Sequence, residues 1–226
     1  MSVTAPAAKR SARRAFFSVS GLLGAAFLLS ACGSLPLPDK PQRPMIYDFG
    51  PGVPPPVAAV SGPPLALAPV EASAPLEGNA VTYRLLYAGE SQQPQPYALA
   101  RWSMSPAQLV AQRLRETLAA QRPVVPAGEG LARLELRVAL EEFSHVFDAP
   151  DASAGLIRLR ATAVAPLMRV DRLLGQRTFS VRAPASSPDA AGGVQALTEA
   201  TDEVGRQLSD WLAQLPGATD RVERVR

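Results

Sequence analysis

Residues 131–147 read LARLELRVALEEFSHVF. Leu134, Leu136, Val138 and Leu140 fall at alternate positions, with Arg133, Glu135, Arg137 and Glu141 in the opposite phase. Successive side chains in a strand point to opposite faces, so this run predicts a sheet strand with one buried apolar face and one charged face. The phase then slips. Leu140 to Phe143 is an odd step, after which Phe143, His145 and Phe147 fall into line, so a β-bulge is expected at Glu141-Glu142. Residues 155–167 repeat the pattern, with Ile157, Leu159, Ala161 and Ala163 opposite Arg158, Arg160 and Thr162. Residues 174–181 form a third expected strand. The short connections predict an antiparallel meander.

Outward from this meander, two helices are expected. Ser105-Pro106-Ala107-Gln108 is a helix start, in which Ser105 caps, Pro106 suits the first helical position and Gln108 completes a capping box. Leu109, Val110, Leu114, Thr117 and Leu118 share one face of that helix, which should stop near Gln121, before Pro123. Downstream, Val194, Leu197, Thr201, Val204, Leu208, Trp211 and Leu215 recur at steps of three and four, a single stripe that predicts a helix laid across the sheet. Upstream, residues 81–88 and 97–102 read as a hairpin around Pro94 and Pro96. Residues 45–49 and 65–70 are short apolar pieces flanked by prolines, a context expected of edge strands. No repeat period is present. The order of elements predicts an α+β fold, a two-layer sandwich of a mainly antiparallel sheet with two helices packed on one face.

The N-terminus carries Lys9, Arg10, Arg13 and Arg14 and no acid before the uncharged run 15–31. This is the order of a secretory signal. A membrane span would need about 20 apolar residues, more than this run supplies. The run ends in Leu29-Ser30-Ala31-Cys32, which resembles the lipobox of bacterial lipoproteins. Cleavage is then expected between Ala31 and Cys32, with diacylglyceryl attached to the Cys32 thiol. Arg13-Arg14-Ala15-Phe16-Phe17 also looks loosely like a twin-arginine signal, so the export route stays open. From Gly33 to Pro75 the chain holds 12 of its 23 prolines, and the first part of that stretch reads as a tether. The expected organisation is a signal at 1–31, a lipidated cysteine and tether at 32–44, a folded domain at 45–215 and a disordered tail at 216–226.

Removing the signal changes the charge balance. The whole chain has 23 Lys and Arg against 20 Asp and Glu; without the four signal residues, 19 basic side chains face 20 acidic ones. No basic stripe remains to attract nucleic acid. Cys32 and His145 are the only cysteine and histidine in the chain, too few for an intrachain disulfide or a His/Cys zinc site, and no cofactor motif is present. His145 is the obvious acid-base residue. It lies between Phe143 and Phe147 on one strand face without a nucleophile motif, which reads as a structural imidazole and leaves a periplasmic hydrolase resting on it alone. Glu141 and Glu142 would point to opposite faces of a regular strand, and a solvated strand edge is the simpler reading. Gly128, Gly130, Gly192 and Gly193 lack the spacing of a phosphate loop. Tyr97 and Trp102 flank a short strand and read first as core.

Several features together resemble a known family: the lipobox, Arg101-Trp102 before the capped helix, Glu142-Phe143 in the central strand, Gln176-Arg177-Thr178-Phe179 in the last strand, and Trp211-Leu212 ending the long helix. The chain is similar to the ABC-type transport auxiliary lipoproteins, the family that includes paraquat-inducible protein C. That resemblance implies an envelope lipoprotein without catalysis, working beside an ABC permease and ATPase and an MCE-domain protein that moves phospholipids or other hydrophobic molecules between the inner and outer membranes. It also implies a homo-oligomer docked on that conduit. Gly33 after the lipidated cysteine, in place of Asp, favours the outer membrane by the sorting rule of enteric bacteria. The alternative is a structural or assembly lipoprotein of another outer-membrane complex, which the same anchor and small domain would serve.

Overall fold

The computed structural model describes residues 42–52, 62–89, 92–167 and 170–215. Cys32, the expected signal, most of the tether and the 216–226 tail lie outside these residues. The strands are β1 (Met45–Tyr47), β2 (Leu65–Leu67), β3 (Glu71–Ala72), β4 (Ala80–Leu85), β5 (Gln95–Trp102), β6 (Val124–Pro126), β7 (Leu134–Ala149), β8 (Ala152–Ala165) and β9 (Arg172–Pro184). Helix α1 (Pro106–Ala119) lies between β5 and β6, and α2 (Ala190–Ala213) follows β9.

The long strands form the expected meander, β7 antiparallel to β8 and β8 to β9. The bulge falls where the alternation slips. Leu140 pairs with Leu159 and Glu142 with Arg158, which leaves Glu141 as the extra residue of β7. The expected hairpin is β4 with β5. The helix starts also follow the residues: the Gln108 Oε1 accepts from the Ser105 backbone N–H at 3.1 Å, and the Asp189 Oδ1 caps α2 by accepting from the Gly192 N–H at 2.9 Å.

The expectation of a mainly antiparallel sheet is corrected: the sheet is mixed. The edge of β7 away from β8 is occupied in turn by β2, β3 and β4, all parallel to it, while β1 is parallel to β5 and β2 to β6. Residues 65–85 run alongside β7 as a strand broken by Pro69 and by a 3-10 turn at Ala74–Leu76, and every piece keeps the direction of the chain. Parallel pairing needs a crossover, which β5, α1 and β6 provide between β4 and β7. The expectation that 65–70 forms an edge is corrected too. Leu65–Leu67 is buried throughout and sits between β7 and β6, because its prolines flank the three paired residues instead of replacing any of their N–H donors. β1 does lie at an edge.

Helix α2 lies across β7, β8 and β9 and also meets α1. Its stripe from Val194 to Trp211 is buried, and Ala196, Ala200 and Leu212 widen it. The helices meet where Gly205 faces Thr117; a Cβ on Gly205 would lie 3.1 Å from the Thr117 Cγ2. Under α1, Trp102 packs edge-on to Phe49 with ring centres 5.7 Å apart and lies 5.6 Å from Phe143, core packing as its residue type suggests. The apolar stripe of α1 conceals one charged residue, Arg113, which is buried. It donates to the Phe49 carbonyl and lies 3.4 Å from Asp202 and 3.7 Å from Glu116, so it ties the β1 segment to both helices. Burial pushes the Asp202 carboxyl upward while Arg113 and Arg206 pull it down.

Candidate functional site

His145 and Gly155 are cross-strand partners in β7 and β8. Helix α2 begins directly over this pair. A Cβ on Gly193 would lie 2.4 Å from the His145 Nδ1, and one on Gly155 would lie 2.5 Å from the Ala196 carbonyl carbon and the Leu197 nitrogen. Glycines at these two positions let helix and strand backbones approach closely. The sequence reading gave Gly192 and Gly193 no role. The available signal was a glycine pair at the start of a strongly periodic helix, where glycine is a poor helix former.

His145 is 0% exposed. Its Nδ1 shares a 2.8 Å hydrogen bond with the Tyr97 hydroxyl, and the Tyr83 hydroxyl donates to the Gln95 Oε1 at 2.9 Å beside it. Phe147 and Tyr97 pack on the imidazole, at 4.4 and 6.2 Å between ring centres. The His145 Nε2 and the neighbouring Ser144 Oγ are buried with no hydrogen-bond partner among the described residues. Burial pushes the imidazole down to about 4, against a smaller upward pull from Asp189. Burial, Tyr83 and Asp189 push the Tyr97 hydroxyl well above its ordinary value. Asp189 is held low by the Gly192 N–H and the Ser187 hydroxyl. The arrangement keeps a neutral imidazole packed under a helix start.

This burial has a pH signature. The unfolded chain takes up a proton at His145 near pH 6.5, the folded chain only near 4. Stability from this group is therefore complete above 6.5 and declines as pH falls toward 4, by roughly 3 kcal/mol over that window. Since the chain holds one histidine, the imidazole proton resonance of untagged protein reads it directly, and a midpoint near 6.5 would contradict the burial argument.

The other flagged residues are dispersed. Glu141 lies 3.4 Å from Arg158 and 3.6 Å from Arg160, whereas Glu142 pairs with Arg84 at 3.1 Å, so the two carboxylates serve separate ion pairs and do not face a common space. They are half-buried and paired, more than the solvated edge expected of them. Gly128 and Gly130 have positive φ, at 87° and 70°, in the turn before β7. The charged face of the meander is laced internally: Arg137 bridges Glu135 and Asp171, and Arg182 meets Asp148. Among the described residues no three His, Cys, Asp or Glu side chains gather to hold a metal, and no helix is long and apolar enough to cross a membrane. Cys32 and Ala31 lie outside the described residues.

The family model for the ABC-type transport auxiliary lipoprotein component matches residues 47–209. Its span runs from the end of β1 into the last turns of α2. No curated protein matches the chain. The fold is similar to the crystal structure of a protein from Xanthomonas campestris, at 21% identity and a TM-score of 0.61 over 74% of this chain and 94% of that one. A second solved structure, of an uncharacterized protein, is 14% identical with a TM-score of 0.59 over 76% of this chain and 99% of that one.

Proposed function

Because the chain belongs to the family of ABC-type transport auxiliary lipoprotein components, we propose that it is a lipid-anchored envelope subunit whose work is to dock an MCE-domain protein at the outer membrane. The family match is the observation that carries this reading, since it covers nearly every element of the folded region, and the lipobox supports it from the other end of the chain. The signal ends at Ala31, Cys32 carries the acyl chains, and the domain begins at Met45. Twelve residues between them span at most about 40 Å when fully extended, so the start of the domain stays within about that distance of the bilayer. The cargo of the system is phospholipid or another hydrophobic molecule, and the subunit acts as a homo-oligomer without catalysis. A buried, neutral His145 accords with that role, because a group that neither meets solvent nor titrates near neutrality is a poor general base.

In-cell crosslinking of the full-length lipidated protein, followed by affinity capture, is expected to recover an MCE-domain protein. Repeated recovery of a β-barrel or secretin instead would turn the assignment to an assembly lipoprotein.

A further inference from the structure

Among the described residues, one position in the sheet is open. Beyond β2, a second row is filled by β6, which pairs with Leu65–Leu67; farther along, β5 fills the same row by pairing with β4. Between them β3 pairs with β7 alone, Glu71 opposite Ala139 and Ala72 opposite Leu140, and no described strand lies on its other side. The open position is a few residues long, roughly 10–17 Å at 3.3 Å per residue. Two cavities of about 620 and 800 Å³ flank it and share Val70, Ala107 and Gln108. One wall is the flank of α1 at Ala107 and Ala111, and the floor is Leu67 and Val70. The charges are polarised. Glu77 and Glu71 line one end and Arg115 the other; of the two acids Glu71 also borders Arg137 and Arg160, so Glu77 is the one whose cavity holds no basic side chain.

We propose that this vacant strand position is a docking slot for an extended peptide of another protein. The peptide pairs by its main chain with residues 70–72, sets alternate small apolar side chains against Val70 and Ala111, and carries a basic residue at the Glu71 and Glu77 end. Backbone pairing explains why the slot is bounded at both ends by strands of the same row, and charge complementarity sets the direction of the peptide. This inference stands apart from the anchor and from the identity of the transport partner.

The test uses full-length protein and a phage-displayed random peptide library, with the selected peptides remade synthetically. They are expected to share alternating apolar positions and a basic end, and to protect from hydrogen exchange those amides of residues 70–72 that β7 leaves unpaired. Ala111→Arg, which fills the slot from a partly buried helix position, and Glu71→Lys, which reverses the charge at one end, should each weaken binding by about tenfold. Methylating alternate peptide nitrogens should weaken it similarly. Unfolding midpoints of both variants establish that they fold, and the methylated peptide tests the pairing on unaltered protein. Failure to select any peptide would overturn the proposal, as would undiminished binding of the methylated peptide. So would protection, without peptide, of those amides of residues 70–72 that do not pair with β7: concentration-independent protection would mean that the chain fills its own slot, and concentration-dependent protection that a second copy does.

Discussion

Gly155→Val is expected to lift α2 from the sheet and to lower stability by about 3 kcal/mol. The first atom of any side chain at this position would sit 2.5 Å from two backbone atoms of the helix and 2.8 Å from a third, the Ala196 carbonyl oxygen. No rotamer can relieve contact with backbone, so either the helix rises or the strand bends. The helix buries Val194, Leu197, Ala200, Val204 and Leu208 on that sheet, and all of them lose contact together. Gly193→Ala differs in kind. Its Cβ meets the His145 ring, so shortening that side chain in the double variant Gly193→Ala, His145→Ser should restore part of the loss, whereas no such rescue exists for Gly155. Gly78→Ala is the control, with nothing within 4 Å of the added atom and no positive φ, and should change stability by no more than about 0.5 kcal/mol. Urea unfolding followed by the summed emission of Trp102 and Trp211, both buried in the core, measures all of these. A Gly155→Val protein as stable as the parent would mean that the helix does not rest on this strand.

These glycines mark what periodicity can and cannot reveal. Apolar repeats report where large side chains are needed, and so the bulge at Glu141, the start of α1 and the stripe of α2 were all legible. They do not register a position that must be empty, which is why periodicity assigns Gly155 and Gly193 no packing role. Nor do they report direction. Leu65–Leu67 is apolar whether its neighbours run parallel or antiparallel, and its place inside the sheet depends on a return of the chain some seventy residues later. Arg113 was hidden for a third reason: it lies within the apolar stripe of α1, and its partners at Phe49 and Asp202 are distant in sequence. At the candidate site, His145 was legible as a strand residue among aromatics, while its contact with Tyr97 required the β4–β5 hairpin to be placed beside β7.

Cys32→Ala is expected to abolish acylation and leave the chain as its 23.8 kDa precursor. Diacylglyceryl transfer uses the thiol as nucleophile, alanine offers none, and the chain has no second cysteine to substitute. On the proposed lipoprotein reading, cleavage between Ala31 and Cys32 follows lipidation, so one substitution would block two steps. Membrane retention alone cannot decide the matter, because an uncleaved apolar signal would also hold the precursor at the bilayer. The deciding readouts are labelled palmitate, which should fall to background, and the size of the product. Normal cleavage in the variant would show that Cys32 is incidental and that residues 15–31 are either an ordinary signal or an anchor of their own. The consequence for transport follows from reach. If acyl chains are attached at position 32, the start of the domain is confined within the length of a twelve-residue tether, and each acyl chain would contribute about 0.8 kcal/mol per buried methylene to holding it there. Without them the folded region keeps every contact from β1 to α2 and loses only its address. Loss of the transport phenotype in a variant whose domain still unfolds at the parent's midpoint would therefore place the function in where the domain is held and what it meets there.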